Sequence, residues 1–522
     1  MKLWATLERA ASLYPLVPAL IEGARTQTYP ETLRRCERLH AFLEQLGLQP
    51  GMRIAVLAWN GIEFFELYYA ALRAGLVLVP LNVRLSAAEL VEILGDADAR
   101  ILFADPGFVT LVEECRARSG SLDVCWLGSA PAVSRVAAAS SGRDCEYERD
   151  ALCSGAAVPA ARAAAADELV HLYYTSGTTG RSKGVMLTNR NVATHALGAI
   201  AELQLSDADR WAHIAPMFHL ADAWATFAIT WAGGTHVFLP RFEPLPALDL
   251  FVAQRITITN LVPTMLNLML RHESAPGRDY SALRAILSGG APIAPTLVRA
   301  IQETFRCTYI QTYGMTETSP YLTLSVLKHH LHRLSPAEQF HYSARTGRPF
   351  ATVELRVVGE DGRDVPADDR SVGEIRVRGD TVTPGYWNRP EETRAAFAQG
   401  WLCTGDLATI DAEGYVQIVD RKKDMILSGG ENVYSTEVEN ALYAHPAVLE
   451  AAVFGRPDEI LGERVCAAVV LRTGAQASAE ELKGHCRTLL AGYKTPKEID
   501  FLNSLPRTGT GKIAKRFLRN PG

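Results

Sequence analysis

The chain has 522 residues, 48% apolar and 21% charged, with 40 Gly and 27 Pro spread along it, which excludes disordered, collagen-like and coiled-coil classes. Its 53 Lys and Arg against 58 Asp and Glu leave a net charge of -5, so no general basic field is present to hold a nucleic-acid backbone, and any anionic ligand must be bound locally. At roughly 100–200 residues per folding unit, the length allows about two to four units.

In chain order, the start places Glu8 and Arg9 where a signal peptide needs an unbroken apolar core, so the expected location is cytoplasmic. Apolar runs at 54–58 and 76–80 read as strands and alternate with helix-length segments such as 62–74, the pattern of parallel strands joined by crossover helices. Residues 130–166 are rich in Ala, Ser and Gly with little periodicity and read as a surface connection, extended or in part helical, without function of its own. The longest apolar stretch, 215–240, is interrupted by His219, Asp222, Gly233, Gly234 and His236. No transmembrane segment is therefore expected, because a bilayer span needs roughly 20 clean residues. From about residue 351 the pattern changes to alternating strands at 353–358 and 374–379, a smaller antiparallel unit with Asp361-Gly362 as a turn. After the charged run 420–424 a mixed pattern returns, with helices predicted at 435–444 and 479–490 and a strand at 466–471. The nine Cys are odd in number and form no Cys-x-x-Cys pair, which suits reduced thiols.

The segment at 173–184, Tyr-Tyr-Thr-Ser-Gly-Thr-Thr-Gly-Arg-Ser-Lys-Gly, lies between two apolar runs. Thr175, Ser176, Thr178 and Thr179 offer hydroxyl donors, Gly177, Gly180 and Gly184 let backbone amides approach an anion, and Lys183 adds a positive charge. Composition alone reads this as a phosphate-holding loop or as a polar hairpin turn. It is not a Walker A loop, because Gly177 and Lys183 miss that motif's spacing.

The same segment resembles the most characteristic motif of the adenylate-forming superfamily, which includes acyl- and aryl-CoA synthetases, luciferases and peptide-synthetase adenylation domains. Four further motifs follow in family order, and the resemblance runs from about residue 10 to 518. Gln-Thr-Tyr-Gly-Met-Thr-Glu-Thr-Ser at 311–319 is similar to the motif that stacks on adenine and holds magnesium. Trp-Leu-Cys-Thr-Gly-Asp-Leu at 401–407 resembles the ribose motif, and 420–432 the hinge with its following loop. Pro-Arg-Thr-Gly-Thr-Gly-Lys at 506–512 resembles the catalytic-lysine loop; Ser182 departs from the family's usual proline, which loosens the loop but removes no donor.

The resemblance implies an α/β protein with a large N-terminal AMP-binding domain, residues 1–420, of two α/β lobes plus a small β unit. A smaller mobile α+β lid, residues 421–522, would swing about a hinge near Lys423. It also implies an ATP-dependent ligase that activates a carboxylic acid as acyl-AMP, releases pyrophosphate, and then passes the acyl group to CoA. Lys512 would bridge the substrate carboxylate and the α-phosphate, and Thr316 would hydrogen-bond that phosphate. Glu317 would supply a hard oxygen ligand for Mg2+. The adenine would lie among Gly289, Gly290, Ala291, Gln311, Thr312, Tyr313, Gly314 and Met315, with its ribose on Asp406 and Arg421. Ser428, Gly429 and Gly430 would line the tunnel for the pantetheine arm. Each residue also has a plainer reading: Lys512 as part of a solvated basic tail, Asp406 as a turn aspartate, Tyr313 as a core aromatic.

His219 stands where amino-acid-activating relatives carry an aspartate, and the resemblance places it near the substrate carboxylate; a buried structural histidine is the alternative. Without that aspartate a substrate ammonium has no counter-charge, unless Asp222 competes from a shifted loop. Trp224, Phe227 and Trp231 are candidate apolar walls. The expected substrate is a fatty or other alkyl acid, with an aryl or arylpropenoic acid as the alternative, or a separate carrier protein in place of CoA as acceptor. No nucleic-acid partner is expected, and a homodimer is left open. The His-rich stretch 328–333 reads as a metal site or, lacking a nearby carboxylate, as a solvated loop.

Overall fold

The structure is a computed structural model describing residues 2–131, 142–153, 155, 157–162, 164–176, 182–291, 293, 295–507 and 513–519. The chain packs as two compact units, Met1–Glu354 with Arg378–Phe397, and Leu355–Val377 with Ala398–Gly522. Packing thus groups the small β module with the C-terminal chain, whereas the expected cut at residue 420 concerns motion and is taken up below as a proposal.

The first unit is α/β. Among the described residues one of its sheets runs, from edge to edge, Asp144–Glu146, Val124–Trp126, Ala99–Ala104, Arg53–Leu57, Val77–Pro80, Leu169–Ser176 and Ser182–Thr188. All neighbours are parallel except the last pair. Val77–Pro80 is buried throughout, as a parallel strand covered on both faces should be. The second sheet centres on the parallel strands Arg210–His213, Ile258–Asn260, Ala285–Ser288 and Thr308–Gly314. Helix starts follow local chemistry: Thr28 with Glu31, Ser86 with Glu89 and Thr188 with Asn191 form capping boxes that satisfy otherwise orphaned amides. Gly75 at φ 71 ends the helix Ile62–Ala74, a left-handed position that glycine tolerates best.

The second unit holds two antiparallel-rich sheets. One contains Glu354–Val358, Gly373–Arg378, Trp401–Ile410 and Val416–Arg421; the other contains Ile426–Ser428, Glu431–Val433, Val448–Asp458, Gly462–Leu471 and Glu498–Phe501. The predicted helices appear as Ser435–Tyr443 and Ala479–Leu489. The predicted strand at 466–471 extends back to Gly462 because its long hairpin partner, Val448–Asp458, pairs along that whole length.

One expectation is corrected. The connection at 130–166 is partly helical, at Tyr147–Leu152, but it is not all surface: Asp144–Glu146 forms the edge strand, and Tyr147, fully buried, donates its hydroxyl to Glu66 at 2.7 Å. Glu66, also fully buried on the central helix, is paired by Arg35 as well, so this segment completes the shell of an internal carboxylate. Among the described residues no helix is long and apolar enough to cross a membrane.

Buried histidines make the first unit acid-sensitive. Burial pushes His171 and His195 down to about 3, and among the described residues neither ring nitrogen of His171 has a hydrogen-bond partner. Both groups stay neutral in the fold but take up protons near pH 6.5 once unfolded, so stability is lost as pH falls from about 6.5 towards 3, by up to ~1.4 kcal/mol per pH unit for each. Thermal midpoints measured from pH 7 to pH 5 should decline, with proton uptake on unfolding; a flat midpoint would mean these rings are charged in the native state.

Candidate active site

In the first unit the strands Leu169–Ser176 and Ser182–Thr188 pair so that Thr175 faces Lys183. Gly177, Thr178, Thr179 and Gly180 lie outside the described residues, and Ser176 is placed only as the end of its strand. Gly184 packs tightly: a Cβ there would lie 3.0 Å from the Tyr174 ring and 3.3 Å from Trp387, so a side chain would have to push these neighbours aside by a few tenths of an ångström.

The strand Ala285–Ser288 delivers Gly289, Gly290 and Ala291 beside Thr308–Gly314, with Ser288 opposite Gln311. A Cβ on Gly289 would come within 2.2 Å of Thr312 Oγ1 and 2.5 Å of its carbonyl oxygen, so the backbone here forms a bare shelf beside Thr312. Gly290, at φ 81, occupies the left-handed region, and Ala291 is exposed. Thr312 Oγ1 is itself engaged, donating to the Ser288 carbonyl at 3.2 Å. Gln311 is anchored at both ends: its amide donates to Ser325 Oγ at 2.7 Å, and its side-chain oxygen accepts from the Tyr309 hydroxyl. Tyr313 is half-buried opposite Thr323. Gly314 tolerates no side chain, because a Cβ would sit 1.9 Å from the Pro320 carbonyl oxygen, which also receives the Met315 amide at 3.0 Å. The chain then turns through Thr316–Thr318, leaving Thr316 half-buried and Glu317 buried.

Sequence reasoning missed the residue that joins these parts. Tyr386 donates its hydroxyl to Glu317 Oε1 at 2.9 Å, and its ring lies 5.4 Å from the Lys183 ammonium. Burial and the Glu317 carboxylate both push the Tyr386 phenol upward, so it stays protonated and donates. It is held by its own backbone amide bond to Thr393 Oγ1 at 2.9 Å and by a bridge to Val185 on the Lys183 strand. The signal available in the sequence was Gly385-Tyr386-Trp387, placed just beyond the antiparallel strands.

His219 precedes the short helix Leu220–Ala223, half-buried, with its ring 4.7 Å from that of Phe218. Asp222 is engaged within the core. Its carboxylate is fully buried and accepts from Trp211 Nε1 at 3.2 Å and bonds His213 Nδ1 at 2.6 Å. His213 continues to His236 at 2.9 Å, and His236 to Thr230 at 3.0 Å. Trp224 and Phe227 likewise belong to the core: Trp224 packs edge-on against Trp211 at 5.0 Å, and Phe227 lies 5.5 Å from His171. Trp231 is half-buried, its carbonyl accepting from Arg9 at 2.9 Å.

In the second unit Gly405, at φ 74, bends the strand Trp401–Ile410 just before Asp406. Asp406 stands in register with Arg421 on the neighbouring strand, and Arg421 Nε lies 3.4 Å from Asp406 Oδ1. Lys423 is shifted below the usual lysine range, first by burial and then by Arg421. Ser428 and Glu431 close a two-residue hairpin whose turn, Gly429-Gly430, has φ of 62 and 84; such a primed turn requires residues that tolerate positive φ. Lys512 lies outside the described residues; on either side of it Arg507 and Ile513 form a β-bridge, and the Ala514 amide donates to Pro506 at 2.8 Å. The His-rich stretch folds as a single-turn helix, His329–Arg333, with Leu331 buried, and among the described residues no group of three or more metal-ligating side chains is present.

Two family models match: AMP-binding enzyme over residues 7–387 and AMP-binding enzyme C-terminal domain over 437–512. The chain is 36% identical to a feruloyl-CoA synthase of Amycolatopsis sp. over 512 residues, 98% of this chain and 97% of the relative. It is 37% identical to a long-chain-fatty-acid–CoA ligase of Thermus thermophilus over 531 residues, 99% of this chain and 95% of the relative. Its fold matches o-succinylbenzoate coenzyme A synthetase from Bacillus subtilis, solved with ATP and magnesium ion, with a TM-score of 0.84 at 31% identity over 99% of both chains. Motifs, fold and near full-length similarity together make this chain a member of the adenylate-forming AMP-binding enzyme superfamily, an AMP-forming acid–CoA ligase.

Proposed function

We propose that the enzyme acts on a carboxylic acid without an amino group, a fatty or other alkyl acid first, and that CoA is the acceptor in the cytoplasm. The observation that carries the substrate reading is Asp222: its carboxylate is spent on Trp211 and His213 in the core, so this loop offers no counter-charge for a substrate ammonium. An aryl or arylpropenoic acid is the second reading, favoured by the similarity to a feruloyl-CoA synthase. Nine free cysteines suit a reducing compartment.

In the first half-reaction the acid's carboxylate oxygen attacks the α-phosphorus of ATP and pyrophosphate leaves; in the second, the CoA sulfur attacks the acyl carbonyl and AMP leaves with loss of the thiol proton. Lys512 holds the two anions together for the first step. The adenine rests on the bare shelf of Gly289 and Gly290 against Tyr313, and Asp406 accepts from the ribose hydroxyls beside Arg421. A single buried carboxylate, Glu317, with the Thr316 hydroxyl next to it, fits Mg2+, which takes few protein ligands and is otherwise held by water and phosphate oxygens. When bound, that ion would neutralise charge on the phosphates. Tyr386 fixes the Glu317 carboxylate while its ring steadies Lys183. Lys423 is the hinge about which residues 421–522 turn between the steps.

Pyrophosphate release across a panel of alkyl, aryl and α-amino acids, with and without CoA, tests the substrate reading. Alkyl acids should be the best substrates and amino acids inactive, with acyl-CoA as product; activation of an amino acid, or transfer only to a carrier protein, would overturn it. Tyr386→Phe should raise the magnesium concentration needed for half-maximal adenylation several-fold, in the range of one hydrogen bond to a charged group, with little change in the KM for the acid. An unchanged magnesium dependence would leave the phenol without a role at the metal.

A further inference from the structure

We propose that Asp420, Ser435 and Lys515 form a latch that spans the hinge and must open between the two half-reactions; this rests on the reading of Lys423 as that hinge. Asp420 is the last residue but one of the strand Val416–Arg421, directly before Arg421, and is only 3% exposed. Its carboxylate accepts from both the amide and the hydroxyl of Ser435, the latter at 2.9 Å, and from the Arg421 amide at 2.7 Å. Ser435 opens the helix Ser435–Tyr443, whose preceding residue, Tyr434, makes no side-chain cap, so the acceptor for the helix's first amide comes from across the hinge.

Beyond Ser435 the chain of bonds continues. Lys515 Nζ donates to Ser435 Oγ at 2.6 Å and pairs with Glu439 Oε1 at 2.7 Å; Glu439 in turn accepts from the Val453 amide at 2.8 Å. The donors line up in one direction: the ammonium has only hydrogens to give, and the serine hydroxyl accepts one and passes its own to Asp420. Burial pushes both carboxyl groups upward, the Lys515 charge acting against that shift. A second tie runs parallel to the first: Arg519 donates to the Lys423 carbonyl at 3.1 Å and to Asp424 at 2.9 Å. The tail thus reaches Asp420 through Ser435 and holds Lys423 and Asp424 directly.

Asp420 precedes Lys423 in the chain, while Ser435, Glu439 and Lys515 follow it. In this reading Asp420 stays with the large domain while Ser435 turns with the lid, so a rotation about the Lys423 backbone pulls directly on Asp420's bonds to Ser435. One end state of the swing is thus stabilised by this buried network, and the strength of the network sets the balance between the states. Lys515 and Asp420 touch no substrate in this reading; they are positioning residues.

The test measures the half-reactions separately, as pyrophosphate release in a single turnover and as conversion of preformed acyl-adenylate to thioester by CoA. Ser435→Ala and Lys515→Met should each shift the ratio of the two rates about tenfold and in the same direction, the size expected for a hydrogen bond to a charged group. The double variant should shift it no further than the larger single one, and Lys515→Arg should restore most of it. Lys423→Pro serves as the control for the hinge. If Lys423→Pro shifts the ratio while Ser435→Ala and Lys515→Met lower both rates equally or leave both unchanged, the latch is overturned and the hinge stands. An unchanged ratio in Lys423→Pro overturns hinge and latch together, and a wild-type enzyme that forms no acyl-adenylate from any acid of the panel overturns the functional reading beneath them. Should Lys515→Met fail to fold, Ser435→Ala, which removes one hydroxyl, carries the same comparison.

Discussion

Lys512→Ala is expected to lower acyl-adenylate formation by about two to three orders of magnitude, the cost of removing one oriented charge from a developing transition state, while thioester formation from preformed acyl-adenylate continues near the wild-type rate. The asymmetry follows from what each step asks of a cation. Adenylation brings a carboxylate against a polyphosphate, two anions that repel until a positive charge is shared between them. Attack by the thiol on the mixed anhydride involves no such approach, and a lysine left in place would obstruct the incoming sulfur. The net charge of -5 gives no background field to substitute for the missing ammonium. Separate assays of the two half-reactions decide the matter. Equal loss in both would mean that Lys512 serves binding or folding and that the two-state assignment is wrong.

Much of the fold could be read from pattern, because apolar periodicity is a local property. The helix Ile62–Ala74 and the strand Arg53–Leu57 emerge almost where the runs of hydrophobic residues place them. The strand Gly462–Leu471 was underestimated since its first residues, Gly-Glu-Arg, are polar and owe their extended form to a partner strand. The edge strand Asp144–Glu146 and the burial of Tyr147 escape the sequence for the related reason that low apolar periodicity hides one buried aromatic, whose purpose is visible only beside Glu66. The shelf of Gly289 and Gly290 and the pairing of Asp406 with Arg421 could be expected from motif order, although the reason Gly289 admits no Cβ is the proximity of Thr312, a residue 23 positions away on another strand. The roles of Tyr386 and of the Asp420 latch are not legible from motif order, although Gly385-Tyr386-Trp387 marks the place of the first. Their partners are 69 and 15 residues distant, so which carboxylate Tyr386 serves and which hydroxyl Asp420 accepts from emerge only in the fold.

Asp222→Ala is expected to destabilise the first unit by about 2–6 kcal/mol, the cost of leaving two buried donors without an acceptor, and to impair catalysis even where the protein still folds. The sequence allows Asp222 two readings, a counter-charge for a substrate amine or part of the scaffold, and its bonds to Trp211 and His213 favour the scaffold. Without the carboxylate, Trp211 Nε1 and His213 Nδ1 lose their partners in a fully buried setting, and the cost is that of desolvated donors with no acceptor. The neighbouring link from His213 to His236 and on to Thr230 then lacks its anchoring acceptor, so the disturbance is not confined to one bond. Asp222 also sits in the short helix that His219 precedes, and the Asp222 amide donates to the His219 carbonyl at 3.1 Å. Loosening that turn moves the histidine, and a displacement of about 1 Å at a reacting centre is enough to cost about a hundredfold in rate. Asp222→Asn separates the two effects: its amide keeps an oxygen for one donor, so it should recover part of the stability but not the full bond to His213. A thermal midpoint for Asp222→Ala within a degree or two of wild type would show that the buried chain contributes little, and would return Asp222 to the list of residues available to a substrate.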